Sequence, residues 1–220
     1  KLSNFVPAGG VWMNTQRPEW NDANNALAGF GLSVVTTGYL NRYIEFLSKI
    51  LPDSPVEYEL HESIINFISE LNEVFANFSN ADLGDDSKRY NALKALGISG
   101  QKYRECVYAN NYTKKSKLSL TELKSLLANA GRCISDTLHI SKRTDQLYQS
   151  YNILQLDLTA KCARVRHLGL MLEGQVSALS SGIIGGSDAC EMLTALKASE
   201  LYCEERNSYM LYANKVLPNF

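Results

Sequence analysis

The residues best placed for chemistry lie early in the chain, in the stretch R-P-E-W-N-D-A-N-N at positions 17–25. Asp22 follows Trp20 and Asn21 and stands three positions before Asn25, with Arg17 and Glu19 close by. Two chemistries are open to this carboxyl. At a helix start it would accept hydrogen bonds from the unpaired amides of the first turn and sit well at the positive end of the dipole, with Trp20 packed on that turn. Pressed dry against Trp20, Trp12 or tyrosines, it would keep its proton and serve as an acid, provided burial outweighs the dipole. Arg17 reads as a surface cation. A partner carboxylate is sought in Glu173 of M-L-E-G-Q and in Glu205 of E-E-R-N; for Glu173 the competing reading is a solvated helix position.

Other reactive side chains are scattered. His61, His139 and His167 have no metal-ligand partner one helical turn away, so none reads as part of a metal site. Cys106, Cys133, Cys162, Cys190 and Cys203 are odd in number and widely spaced, with no CxxC pair. They read as free thiols, one per helix, which suits a reducing, cytoplasmic setting. Nucleophile elbows, phosphate loops and dinucleotide fingerprints are missing from the sequence, and no cofactor is expected.

The 17–25 cluster resembles the D-W-N-D-G-M-N stretch of the inverting disaccharide phosphorylases of the cellobiose phosphorylase type, and the related region of cyclic β-1,2-glucan synthases. Trp20, Asn21, Asp22 and Asn25 match position by position, while Glu19, Ala23 and Asn24 depart from the pattern. The likeness runs on through G-F-G-L-S-V-V-T-T-G-Y-L-N-R-Y-I-E-F-L and covers about residues 17–47. It implies a six-hairpin α/α toroid, a glycoside hydrolase-like or phosphorylase-like activity, and Asp22 as the general acid on a glycosidic bond. It also implies Arg17, Trp20, Asn21 and Asn25 around the sugar, with a carbohydrate such as an oligosaccharide or β-glucoside as partner. A hydrolase of this kind needs a second carboxylate roughly 6.5 to 9.5 Å from the acid, the place for which Glu173 is the candidate. A phosphorylase would use inorganic phosphate as co-substrate, but its phosphate-binding stretch has no counterpart here.

The elements that would position these residues read as helices almost throughout. Leu32, Val35, Tyr39, Tyr43, Leu47 and Ile50 form one apolar stripe of a helix from about 25 to 51, closed by Pro52. S-P-V-E at 54–57 reads as a capping box opening a second helix, whose stripe runs through Ile64, Phe67, Ile68, Leu71, Val74, Phe75 and Phe78. A short connection folds that helix back on the first. A third helix starts at 85–96 and is interrupted by G-I-S-G at 97–100. Ser119 and Glu122 form another capping box ahead of a stripe from Leu120 to Leu138. Leu158, Cys162, Val165, Leu168, Leu172, Val176 and Leu179 mark a further long helix, stopped by S-S-G-I-I-G-G, and Ser187 caps a last one to about 202. Only S-Y-M-L-Y hints at a strand.

The expected fold is all-α: successive antiparallel helical hairpins, part of an α/α toroid. Seven or eight helices fall short of the twelve a closed ring needs, so the ring is incomplete. The chain reads as a single all-α domain over 1–220: an N-terminal loop with the motif over 1–24, helical hairpins over 25–203 and an irregular tail over 204–220. It opens on Lys1 and reads as a segment of a larger polypeptide, the remainder of which would be its partner. With 22 basic and 23 acidic residues and no long like-charge block, neither nucleic acid nor a membrane surface is expected as partner, and no apolar run is long enough for a bilayer span. Three functions follow: a glycoside-cleaving enzyme, a non-catalytic structural domain of a carbohydrate-associated protein, and an interaction module. The last predicts a contiguous exposed apolar patch.

Overall fold

A computed structural model describes residues 1–13, 29–110 and 114–213. Along the chain come strands β1 (Phe5–Val6), β2 (Gly10–Trp12) and β3 (Gly31–Ser33), then helix α1 (Val34–Ile50), strand β4 (Glu57–His61), and helices α2 (Glu62–Asn77) and α3 (Asp86–Tyr108). Strand β5 (Lys115–Ser119) leads into α4 (Leu120–Ile140). A hairpin of β6 (Tyr151–Asp157) and β7 (Cys162–His167) follows, then α5 (Leu172–Ser181), α6 (Gly186–Lys197) and a small hairpin of β8 (Tyr202–Cys203) and β9 (Ser208–Tyr209).

This is a mixed α/β fold and not an all-α toroid. One sheet has five antiparallel strands in the order β1-β2-β3-β6-β7, and β4 pairs with β5 in a second. The likeness to the toroidal phosphorylases is therefore overturned at the level of architecture. Local chemistry explains each departure. In Tyr151–Asp157 and Cys162–His167 side chains alternate across the strand, with Leu154 and Ala163 buried and Gln155, Arg164 and Arg166 exposed. Leu158, Cys162, Val165 and Leu168 mimic a helical period across what is a hairpin. Its turn is closed by the Asp157 carboxylate, which accepts from the Ala160 amide at 2.8 Å.

S-P-V-E does not open a helix either. Glu57 begins β4, where Tyr58 lies opposite Leu118 and Glu59 opposite Lys117. Pairing with a strand far along the chain outcompetes the local cap. G-I-S-G does not break α3, which runs unbroken through Gly97 and Gly100. Gly100 marks a close approach instead: a Cβ there would stand 2.8 Å from the Ser3 side chain of the N-terminal turn. Gly31–Ser33, expected inside a helix, is taken by the sheet, and α1 begins at Val34. The last begins at Gly186, capped by Gly185, and ends at Lys197.

Other local signals hold. The Ser119 hydroxyl accepts from the Glu122 amide at 3.2 Å while the Glu122 carboxylate accepts from the Ser119 amide at 2.9 Å. Gly182 stops α5 in the left-handed conformation at φ +85°. The α2 stripe is the core face expected, with Leu71, Phe75 and Phe78 buried. Its neighbours differ from the expected hairpin: α2 packs on α4 and α3, and α1 packs on α5 and α4.

Three apolar clusters hold the layers together. The largest joins α1, α2 and α4 through Ile44, Leu71, Phe75, Leu127, Ala130 and Ile134. A second, with Val6, Leu32, Leu93, Leu154 and Ala163, seats the five-stranded sheet on α3. The third gathers Leu147, Met192, Leu196 and Leu201 around α6. All five cysteines are free; only Cys133 is fully buried, and Cys162 and Cys203 lie in strands rather than helices. Among the described residues no helix is long and apolar enough to cross a membrane.

Candidate functional site

Helices α2 and α3 run antiparallel and leave between them a groove of about 630 Å³. Its walls follow from helical spacing. Glu70, Glu73, Val74 and Asn77 recur on one face of α2, and Lys88, Asn91, Ala92, Ala95, Ser99 and Lys102 on one face of α3. Val74, Phe78, Ala92 and Ala95 make an apolar floor. The two alanines keep the α3 wall low, which opens the groove where a larger side chain would fill it.

Charge is arranged at the ends. At one, Lys102 lies 2.8 Å from one oxygen of Glu70 and the Ser99 hydroxyl donates to the other, so Lys102 first and Ser99 second hold the Glu70 carboxyl below its usual range. At the other, Lys88 pairs with Asp82, whose second oxygen accepts from the Ser79 amide at 2.9 Å and the Ser79 hydroxyl at 2.7 Å. Lys88, and then Ser79, pull the Asp82 carboxyl down to about 2, and Asp82 in turn raises the Lys88 ammonium. Midway, Glu73, Asn77 and Asn91 are exposed, and their side chains form no hydrogen bond among the described residues. Three carboxylates (Glu70, Glu73, Asp82) line the groove against two ammoniums (Lys88, Lys102). Glu73 is the one left uncompensated.

A second surface lies on α1. Its buried face sets small and polar residues between the apolar Val34 and Ile44: Thr37 Oγ1 donates to the Ser33 carbonyl at 2.7 Å and accepts from the Val11 amide at 3.1 Å, and Asn41 donates to the Ser181 carbonyl at 3.1 Å. Gly38 admits α5 so closely that a Cβ would meet Ser177 Oγ at 2.2 Å. The opposite face carries Tyr39, Tyr43, Phe46 and Ile50, which are 48%, 57%, 55% and 57% exposed. These four fall within an arc of about 60° of the helix. Tyr39, Tyr43 and Ile50 of the stripe that sequence periodicity assigns to the core thus face outward, while its Leu32 is buried in β3 and its Leu47 packs on the core. Arg42 and Lys49 flank it, exposed and without an ion pair among the described residues.

The site residues expected from sequence are not assembled by this geometry. Arg17, Trp20, Asn21, Asp22 and Asn25 lie outside the described residues. Glu173 is half-buried in the first turn of α5 and does not line the groove. His61 precedes α2 as its cap residue. His139 meets the Ser135 carbonyl through Nδ1 at 2.8 Å, and His167 meets Asn152 Oδ1 through Nδ1 at 2.8 Å. Among the described residues no group of three His, Cys, Asp or Glu could hold a metal.

Two polar residues with larger roles go unnoticed in the sequence. Gln175, fully buried, accepts from the Tyr148 amide at 2.8 Å and donates to the Tyr148 carbonyl at 2.8 Å. Arg89, also buried, donates to the Pro7 carbonyl at 2.8 Å and the Ala163 carbonyl at 2.7 Å. Both had a legible signal: each sits on the apolar face of its helix, Arg89 in line with Leu93 and Leu96, and Gln175 with Leu172 and Ala178. Comparison with protein-family models and with curated proteins finds no match to this chain.

Proposed function

We propose that the chain is a binding domain whose α2–α3 groove receives a basic amphipathic helix. The observation that carries this reading is the uncompensated Glu73 above an apolar floor. Two antiparallel helices with rows at three- and four-residue spacing form a seat into which a third helix packs its ridges. From Lys88 to Lys102 the α3 wall is about 21 Å long, the length of roughly four helical turns. A guest with apolar residues on one face covers Val74, Phe78, Ala92 and Ala95, and a cation at its edge meets Glu73, with Asn77 and Asn91 as flanking donors and acceptors.

The test is fluorescence polarisation with a labelled helical peptide of Leu and Lys, beside one of Leu and Glu. The Lys peptide should bind more tightly, and Glu73→Lys should weaken it about tenfold, a difference near 1.4 kcal/mol. Equal binding of the two peptides, or binding indifferent to Glu73→Lys, defeats the reading.

A glycoside-cleaving activity is a separate proposal that has the order Trp20, Asn21, Asp22, Asn25 in its favour, while the toroid that implied it is not this fold. It calls for turnover of a β-linked glucoside panel, with and without inorganic phosphate, that disappears in Asp22→Asn. Retained turnover in that variant removes Asp22 from the role.

A further inference from the structure

We propose that the helix received by the groove is α1 of a second copy of this chain, so that copies associate head to tail. The inference rests on the groove reading above and names its guest. Three properties of α1 fit. Tyr39, Tyr43, Phe46 and Ile50 follow a 4-3-4 spacing, the seam of a helix made to pack on helices. The seam spans about 17 Å, against about 21 Å of groove wall. Its exposed surface amounts to a few hundred Å², the size at which an apolar patch on a monomer is commonly an interaction site.

Charge selects the pairing. Arg42 and Lys49 stand seven residues apart, two helical turns along one edge of the seam, and the groove offers the uncompensated Glu73. Seam against seam in antiparallel array would set the Arg42–Lys49 edge against itself, and groove against groove would do the same with Glu73; both bring like charges together. Seam against groove joins opposite charges. Each face is complementary to the other and not to itself, so the contact is heterologous and builds a ring or an open chain of copies. Within one copy α1 is held against α5 and α4, so the α1 that enters a groove belongs to another molecule. The inner flank of the seam, Leu40 and Leu47, is already packed on the core and leaves one open side for the partner.

Sedimentation velocity of the whole chain from micromolar to near-millimolar concentration tests this, with two exposed-surface variants whose folding is checked by circular dichroism. Tyr43→Asp with Phe46→Asp disables the seam and keeps the groove; Glu73→Lys disables the groove and keeps the seam. The wild type should grow in mass with concentration, and each variant alone should stay monomeric at concentrations at least tenfold higher. Mixed in equal amounts, the two should form a one-to-one dimer and nothing larger, because only one competent seam and one competent groove remain. A wild type that is monomeric throughout overturns the inference, as does assembly of either variant alone or a mixture that stays monomeric. If the wild type is monomeric yet binds the Leu and Lys peptide in a Glu73-dependent way, the groove reading stands and α1 is not its guest. Failure of both measurements removes both.

Discussion

Arg89 donates to the Ala163 carbonyl at 2.7 Å, joining the first turns of α3 to β7 across a sequence separation of 74 residues. The same guanidinium reaches the Pro7 carbonyl at 2.8 Å, the Leu83 carbonyl, and the Asp86 carboxylate at 2.5 Å. One planar fork thereby fixes α3 to both edges of the five-stranded sheet and to the turn before it. Lysine cannot reproduce this, because a single ammonium on a flexible stem has no rigid fork to reach groups in several directions.

Replacing Arg89 therefore strands three carbonyls in the interior. Each buried, unpaired acceptor costs about 1–3 kcal/mol, partly relieved by water entering from the exposed side of Asp86. Arg89→Met should lower unfolding stability by about 3 kcal/mol, and Arg89→Lys should recover less than half of that. Urea unfolding is the measurement; a loss under about 1 kcal/mol would show that the carbonyls find other partners.

Gly38 makes a prediction of opposite sign to helix propensity. Alanine in a helix interior is favoured over glycine by about 1 kcal/mol, yet a Cβ at 38 would stand 2.2 Å from Ser177 Oγ and 3.3 Å from the Ser177 carbonyl oxygen. Ser177 Oγ is committed, donating to the Val35 carbonyl at 3.0 Å. Gly38→Ala should thus destabilise by about 1–3 kcal/mol through overpacking. Gly38→Ala with Ser177→Ala should restore most of the loss, and a double-mutant cycle with no coupling would refute the close packing of α1 on α5.

What the sequence disclosed divides along physical lines. The Ser119–Glu122 box, the α2 stripe and the Gly182 stop are settled within one or two helical turns, and they were legible. The β4–β5 pairing is settled by residues about sixty positions apart, so Ser54–Glu57 displayed only its competing local signal. In the 158–168 segment Leu158, Cys162, Val165 and Leu168 fit a helical period by coincidence while Ala163 and Val165 carry the strand's alternation. On α1 the error was one of facing. Periodicity locates an apolar stripe without saying what it meets, and the core side of this helix interleaves Thr37, Gly38 and Asn41 with Val34 and Ile44. The groove combines the outer faces of two helices, each partly legible, whose juxtaposition only the tertiary packing of α2 on α3 and α4 determines. Asp22 and its neighbours lie outside the described residues and take no part in it.

Thiol reactivity should rank by burial. Burial pushes the Cys133 thiol up to about 11, and its Sγ donates to the Phe78 carbonyl at 3.5 Å. Cys190 is exposed on α6. Because the thiolate is the reacting species, Cys190 should be modified first by a disulfide reagent in mildly alkaline buffer, and Cys133 only upon unfolding. Peptide mapping of the labelled protein checks the order; early labelling of Cys133 would mean that the α2–α4 interface opens without global unfolding.

Acid should weaken the fold in a window set largely by Asp82. Its carboxyl, ordinarily near 3.8, is held at about 2 by Lys88 and Ser79, so the folded chain binds this proton more weakly than the unfolded one. The stabilisation is fully present above the unfolded value and drains away as pH falls from about 4 towards 2. Glu70, Glu122 and Asp145 are depressed too and act in the same direction. Urea midpoints should therefore be level near neutrality and fall through this interval. Asp82→Asn should start lower, because the amide cannot attract Lys88 as a carboxylate does, and should descend less steeply. The remaining slope belongs to Glu70, Glu122 and Asp145. Parallel curves for wild type and variant would show that the end of the groove formed by Asp82 and Lys88 contributes nothing to acid sensitivity.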